Sequence, residues 1–477
     1  MVVGELAQER EVVIIGGGPG GYTAAIRAAQ LGLEVTLIEK GNLGGVCLNQ
    51  GCIPSKVFAN VSSKFSGLQK LGSMGIGTSG IALDLAQTAE YSRQVTAGLR
   101  KGVEALCRQA KVEIVPGKAA FLSDDRIGVE NGDDFQVFTF KQAIIAAGCS
   151  PLPHPAIAPD HQHVLDSRSL YALDQLPEHL MVYGNDYMAV EAAFSYRHLG
   201  CEVTLIHEDG LAGLDASIEK ELLRVMKKAK IKWKQGMVLE NLEKQDDRLH
   251  VFFKGEDGSA FELEGSHLYI QTEYRGNAAD LGLARLGVKT DGSGFIEIDR
   301  ECRTSAAGIW AAGDITGGKR LAVQAISQGK AAAASIAGLP AEWNEGFPPL
   351  VIRSQPPVAC AGLTEAEARN QGYRVKTGQF SFAGNGFASL TGQKDGIAKV
   401  ISDAENEVIL GIHLMGDGAP ELISTGITAL EMAAREEDLT FPLYPHPSMN
   451  EGLLEAMEDL QGMAIHKPPA RIVSHQK

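Results

Sequence analysis

A turn that opens on a glycine and is set between two apolar runs occurs twice in this chain, glycine-rich in the first copy alone, and the repeat leaves few folds open to it. Val12-Val13-Ile14-Ile15 leads into Gly16-Gly17-Gly18-Pro19-Gly20-Gly21 and an alanine-rich stretch, Ala24-Ala25-Ile26-Arg27-Ala28-Ala29. A second apolar run, Val35-Thr36-Leu37-Ile38, then ends at Glu39. Moving 168 positions along (184 minus 16) carries Gly16 onto Gly184, Leu31-Gly32 onto Leu199-Gly200, and Glu34-Val35-Thr36-Leu37-Ile38 onto the identical Glu202-Val203-Thr204-Leu205-Ile206. Strand, glycine turn, helix and strand are the parts of a βαβ core. The pattern predicts an α/β fold with two nucleotide-binding domains.

In the first copy, Gly16 permits the tight turn, Gly18 lets the backbone approach a pyrophosphate, and Gly21 lets helix pack on strand. Glu39 is placed to accept hydrogen bonds from ribose hydroxyls. The second copy differs at the positions that bind. Gly18 becomes Asp186, Gly21 becomes Ala189, and Glu39 becomes His207 with Glu208 next to it. A carboxylate about 4 Å from a pyrophosphate costs on the order of 1 to 4 kcal/mol, so the second domain is expected to hold its nucleotide weakly.

Two cysteines separated by four residues follow the first fingerprint, in Gly44-Gly45-Val46-Cys47-Leu48-Asn49-Gln50-Gly51-Cys52-Ile53-Pro54-Ser55-Lys56. Their spacing fits a short loop or helix turn where two sulfurs can close a ring and trade two electrons with a flavin. Lys56 would set a cation beside the flavin or a thiolate and lower the thiol pKa. Near the other end, Tyr444-Pro445-His446-Pro447-Ser448-Met449-Asn450-Glu451 puts an imidazole and a carboxylate on one loop, which suits proton transfer in thiol exchange. Asp314, closing the apolar run Ile309-Trp310-Ala311-Ala312-Gly313, is a further candidate to bind a cofactor hydroxyl.

A length of 477 residues suggests about three domains, and 44% hydrophobic with 22% charged residues describes an ordinary globular composition. The net charge of −15 argues against nucleic acid or an anionic membrane as partner. No apolar run is long enough to span a bilayer, and the first residues lack the pattern of a signal peptide. Seven scattered cysteines form no secreted framework and suggest a reducing, cytoplasmic setting, with Cys107, Cys149, Cys201, Cys302 and Cys360 as buried small hydrophobes. Beyond Gly338-Leu339-Pro340 and Phe347-Pro348-Pro349, strand-like runs at Gly396–Ile401 and Val408–Leu414 suggest an α+β C-terminal domain. Helical periodicity follows at Ala419–Arg435 and Glu451–Gly462.

Together these segments resemble the flavoprotein pyridine nucleotide-disulfide oxidoreductases, most closely their dihydrolipoyl dehydrogenase branch. The segment Gly44–Lys56 is the most specific part, and Pro357–Glu365 is similar to that family's entry into its dimerisation domain. The resemblance implies two Rossmann-like domains plus an α+β dimerisation domain. The boundaries expected are 1–150 for FAD binding, 151–280 for a degenerate NAD-binding-like domain, 281–346 for a segment completing the FAD site, and 347–477 for dimerisation. It implies FAD held by Gly16, Gly18, Gly21, Glu39, Asp314 and Ala322 with Lys56 alongside, and NAD approached by Gly184 and Glu191. Cys47 would exchange with a dithiol while Cys52 faces the flavin. His446, oriented by Glu451, would come from the partner in a homodimer. The implied activity is oxidation of protein-bound dihydrolipoamide with NAD⁺. The implied partner is a lipoyl-bearing protein, for instance of a 2-oxoacid dehydrogenase or glycine cleavage complex, or another disulfide substrate. Two alternatives use the same residues: reduction by a non-nicotinamide donor such as a ferredoxin, and a non-enzymatic flavin-binding scaffold or redox sensor.

Overall fold

The computed structural model describes residues 7–467 apart from 69, 78, 156, 212 and 247. The chain divides into two compact units. The first runs from the N-terminus to Phe58 and takes in Asp84–Gln175 and Thr272–Glu345. The second comprises Ala59–Leu83, Leu176–Gln271 and the chain from Gly346 onward.

The first unit is built on β1 (Gln8–Ile15), α1 (Pro19–Gln30), β2 (Val35–Glu39), α2 (Gly45–Asn49), the start of α3 (Cys52–Leu68), α4 (Leu85–Gln109), β3 (Glu113–Pro116), β4 (Lys118–Ser123), β5 (Arg126–Asn131) and β6 (Asp134–Ile145). Its sheet has the order β3-β2-β1-β6-β5-β4, and the strand Ile309–Ala311 pairs with β6 in parallel. Val12, Val13 and Ile14 are wholly buried because the central parallel strands are covered on both faces. Pro19 opens α1, where a missing N–H is harmless. The buried alanines Ala24, Ala25 and Ala28 let α1 lie close to the helix Ala322–Ile336. A Cβ on Gly329 would stand 2.3 Å from the Gly20 carbonyl oxygen, so the two helices meet backbone to backbone.

The second unit repeats the pattern with the strand His179–Tyr183, the helix Tyr187–Leu199 and the strand Glu202–His207. Parallel strands Lys232–Gln235, Glu202–His207, His179–Tyr183 and His267–Ile270 pair in that order. An antiparallel sheet follows, ordered Leu350–Ile352, Val358–Gly362, Ile409–Met415, Ile397–Asp403, Val375–Ser381. The helices Ala419–Glu431 and Asn450–Asp459 pack on it. Helical periodicity carried on past both helix ends; the chain does not. After Glu431, Ala433 turns left-handed at φ +49, and the Ala434 amide reaches back to Ala429 O at 2.9 Å. Gly462, at φ +71, ends the last helix in the same way, with the Met463 amide on Glu458 O at 3.0 Å. Such left-handed turns satisfy the final carbonyls that a helix leaves over. Among the described residues, no helix is long and apolar enough to cross a membrane.

One buried ion pair ties the C-terminal sheet to the start of the helix Ala216–Lys228. Lys399 Nζ lies 2.8 Å from Asp215 Oδ1 and 2.7 Å from Glu365 Oε2. Burial alone would raise the Asp215 carboxyl, but Lys399 and the amides of Glu365 and Ser217 outweigh it and the net shift is downward. A depressed folded value contributes stability above the ordinary carboxylate range, and that stability is lost as pH falls through the folded value. We expect Lys399→Met to leave Asp215 charged and uncompensated, destabilising the protein by about 3–5 kcal/mol at neutral pH. Denaturant unfolding should also show the deficit shrinking as the carboxylate is protonated.

Candidate functional site: two glycine nests, a dithiol and a histidine–glutamate pair

The first glycine turn is shaped for a ligand. The Gly16 amide donates to Ile38 O at 2.8 Å, and a Cβ on Gly16 would meet Ala146 O at 2.3 Å. A Cβ on Gly21 would meet Gly16 O at 1.8 Å, so the fold itself requires these two glycines. Gly18 is different. Its missing Cβ would touch nothing nearer than Gly45 Cα at 3.9 Å, so nothing in the protein demands a bare backbone there. No side chain caps α1. Open amides over an empty cradle at a helix start suit a pyrophosphate. Glu39 accepts from the Gly17 amide at 2.6 Å and the Gly41 amide at 2.7 Å, which holds its carboxylate at the end of β2.

A second open helix start lies in the same unit. Ala322 begins Ala322–Ile336, and its capping residue Leu321 makes no side-chain hydrogen bond. Asp314 opens the turn after Ile309–Ala311, behind Gly313 at φ +83. The Gly313 amide is fixed by Gln328 Oε1 at 2.8 Å, and the Cys149 thiol donates to Asp314 Oδ2 at 3.8 Å. Burial pushes the Asp314 carboxyl up. The bare cradle, the two uncapped helix starts and the carboxylates of Glu39 and Asp314 fit an extended dinucleotide such as FAD.

Cys47 sits in α2 and Cys52 is the first residue of α3. Gly44 and Gly45 take φ +95 and +58 to set up the turn. Asn49 Nδ2 donates to Leu43 O at 3.0 Å and Gly45 O at 2.9 Å, closing the loop on itself. Both sulfurs are half-buried thiols, and Cys47 hydrogen-bonds Cys52. That bond holds the proton on Cys47 and draws the Cys52 pKa down, with Lys56, one helical turn along, lowering it further. The other five cysteines are buried as expected. Burial lifts Cys107 to about 11 and Cys149, Cys201, Cys302 and Cys360 to about 12.

In the second unit, His446 Nδ1 lies 2.7 Å from Glu451 Oε1, and Glu451 Oε2 accepts from the Ser448 amide at 2.9 Å. The loop thus anchors the carboxylate, and the carboxylate fixes which ring nitrogen carries the proton. The His446 side chain is 81% exposed.

The second glycine turn is filled by its own chain. Asp186 caps the helix Tyr187–Leu199, its Oδ1 accepting from the Ala189 amide at 3.0 Å. Gln271 Oε1 accepts from the Asn185 amide at 2.9 Å and the Asp186 amide at 3.1 Å. Gly184 leaves room for that side chain, since a Cβ there would stand 2.3 Å from Gln271 Oε1. His207 points inward against Trp233, with ring centroids 4.0 Å apart, and neither ring nitrogen has a hydrogen-bond partner. Burial drops its pKa to about 4, so the ring is neutral near pH 7. The Tyr183 hydroxyl engages Glu208. Glu191 is buried in the helix, with Oε1 accepting from the Arg353 amide at 2.8 Å. As folded, these residues do not fit a nicotinamide dinucleotide at the glycine turn. Gln271 and Gln328 were not singled out from the sequence; a lone glutamine after an apolar run gives no signal there.

The thiol pair can be tested directly. In the reduced protein, the ultraviolet thiolate absorbance lost in Cys52→Ser should titrate below the ordinary thiol range. Cys47→Ala, which removes the donor, and Lys56→Met, which removes the cation, should each move that titration upward. A Cys52 thiolate forming only at or above the ordinary value would contradict the assignment.

Comparison with known proteins agrees with this architecture. Residues 10–329 match the family described as pyridine nucleotide-disulphide oxidoreductase, and residues 348–457 match its dimerisation domain. The chain is 37% identical to dihydrolipoyl dehydrogenase of Geobacillus stearothermophilus over 98% of its own length and 99% of that protein. It is 38% identical to dihydrolipoyl dehydrogenase of Thermus scotoductus over 96% and 98% of the two chains. The fold superposes on LpdA from Mycobacterium tuberculosis with a TM-score of 0.87 and 25% identity, covering 94% of this chain and 99% of that one. It also matches the fold of the HOCl-induced flavoprotein disulfide reductase RclA from Escherichia coli, with a TM-score of 0.84 at 23% identity over 94% and 99% of the chains. The family's members use FAD and NAD. The chain therefore belongs to the pyridine nucleotide-disulphide oxidoreductase family and is an FAD-dependent oxidoreductase acting on sulfur groups.

Proposed function

We propose that this protein is a homodimeric dihydrolipoyl dehydrogenase, oxidising a protein-bound dihydrolipoamide through Cys47 and Cys52. The observation that carries the reading is the asymmetric placement of the thiol pair, with Cys47 inside α2 and Cys52 opening the long helix α3 one turn before Lys56. That asymmetry supports a division of labour. In the oxidised enzyme, His446 takes the proton of one substrate thiol, and the resulting thiolate attacks Cys47 Sγ. The Cys47–Cys52 bond breaks, a mixed disulfide forms, and Cys52 leaves as the stabilised thiolate. The second substrate thiol then attacks the mixed disulfide, closing the substrate ring and releasing Cys47 as the thiol that holds the proton. Glu451 keeps the His446 ring in position, leaving its other ring nitrogen to take the proton.

Bound FAD supplies the two-electron chemistry that connects a dithiol to a nicotinamide nucleotide. The residues we assign to hold it are Gly16, Gly18, Gly21, Glu39, Asp314 and Ala322, with Lys56 beside it. Gly184 and Glu191 are assigned to the nicotinamide side, where a nucleotide would first have to displace the side chains that fill the glycine turn.

Exposed apolar side chains near the histidine loop support the homodimer. Phe441 is 84% exposed, Leu443 101% and Met432 75% on the same domain as His446, and such surfaces mark protein contacts. In the dimer, we assign each His446 to the partner's dithiol. The relatives' name points to a lipoyl-bearing protein as substrate, as found in 2-oxoacid dehydrogenase or glycine cleavage complexes. The five buried thiols suit a reducing, cytoplasmic setting. One observation favours a second reading, in which the same dithiol is reduced by a non-nicotinamide donor such as a ferredoxin: the second glycine turn is already occupied.

Anaerobic titration with dihydrolipoamide, followed by flavin absorbance, tests the proposal. Reduction of the wild type, its loss in Cys52→Ser, and a fall of roughly 10²–10⁴-fold in His446→Gln are expected. A flavin that no dithiol reduces would sink the reading. Reduction by reduced ferredoxin, with none by NADH, would favour the second.

A further inference from the structure

The two nests of this chain were built to one plan, and one of them is closed. Gly16 and Gly184 both donate to the end of the neighbouring strand, at 2.8 Å on Ile38 O and 2.9 Å on Ile206 O. Ala146 and Gln271 hold equivalent places, their amides donating to Ile15 O and Tyr183 O at 2.7 and 2.8 Å. In the first nest Ala146 and Gly18 bring no polar side chain, and of the amides of Gly17, Gly18 and Gly21 only that of Gly17 meets one, Glu39 at 2.6 Å, which leaves those of Gly18 and Gly21 without a side-chain acceptor. The second nest is lined by Gln271 and Asp186, which bring two polar side chains. Between them these side chains accept from the amides of Asn185, Asp186 and Ala189, the kind of backbone donors that a dinucleotide pyrophosphate uses at a helix start.

We propose that Asp186 and Gln271 form an internal plug that stands in for the pyrophosphate, so that a nicotinamide dinucleotide binds only by displacing both side chains. The carboxylate of Asp186 takes the place of an anion and repels another. The carboxamide of Gln271 takes amides that the phosphates would otherwise engage. Displacing Gln271 alone leaves the carboxylate in place. Displacing Asp186 alone leaves two amides bound. The ribose end adds no compensation, because His207 is buried against Trp233 and Glu208 is engaged by the Tyr183 hydroxyl. Asp186 and Gln271 are thus the residues that set nucleotide affinity on the acceptor side of the proposed reaction. The inference rests on the family's use of NAD and not on the identity of the thiol substrate.

Calorimetric titration of NAD⁺ into the oxidised, FAD-loaded enzyme tests this without any turnover. Asp186→Gly combined with Gln271→Ala should tighten NAD⁺ binding by roughly ten- to several-hundred-fold. Asp186→Asn keeps a capping acceptor but removes the charge, so it should bind more tightly than wild type and less tightly than the double variant. Gln271→Ala alone should also gain. Flavin content and the thermal midpoint report folding, and if the double variant fails to fold, the two single variants decide. Affinities within twofold of wild type in the folded variants would overturn the plug. So would a wild type that already binds NAD⁺ as tightly as the opened nest. Flavin bleaching by dihydrolipoamide is read separately, so failure of the plug and failure of the proposed thiol chemistry give different results.

Discussion

The first amides of a helix have no partner inside the helix, and what accepts from them distinguishes the two halves of this chain. At α1 and at Ala322–Ile336, no side chain accepts, and the backbone donors stay open to a ligand. At Tyr187–Leu199 an aspartate accepts, assisted by a glutamine from the neighbouring strand end. A buried or half-buried donor left without an acceptor is expensive, by about 1–3 kcal/mol each. One nest therefore stores a demand that a cofactor meets, while the other meets its own. The same βαβ framework carries both conditions, which is how a duplicated fold can keep its shape while its halves diverge in affinity.

The sulfur chemistry depends on a comparable asymmetry at smaller scale. Cys47 and Cys52 share one hydrogen bond, and the proton has a preferred side because Cys52 alone begins a long helix next to Lys56. The helix dipole and the cation both favour a thiolate at that position. His446 is arranged the same way by Glu451, itself fixed by the Ser448 amide. Each reactive group thus has a charged neighbour that orients or polarises it, and for His446 that neighbour is itself anchored by a backbone amide.

Much of this was legible in the sequence, for reasons that differ by residue. The glycine turn, the alternating blocks and the CxxxxC pair announce themselves because backbone sterics and thiol spacing allow few substitutes. The damage at Asp186 and His207 was visible for the same reason, since the repeat supplied its own reference. Gln271 was not visible. Its counterpart Ala146 lies at a different separation from the glycine turn, because the two domains carry different insertions, so the 168-residue offset does not align them. His207 could be recognised as a lost acid but not as a ring turned in against Trp233, which depends on a partner 26 positions away (233 minus 207). The helix ends at Glu431 and Asp459 were also missed. Apolar periodicity continues past them, while the left-handed residues Ala433 and Gly462 stop the chain.

The contact between Gly20 and Gly329 has a consequence for ligand capture. The two uncapped helix starts of the first unit belong to helices whose backbones touch, with no side chain between them to flex. Neither start can tilt without moving the other. The cofactor thus meets a rigid jig whose spacing is fixed before it arrives. Little ordering remains to be done on docking, and an emptied apoprotein should retain the mould of what it held.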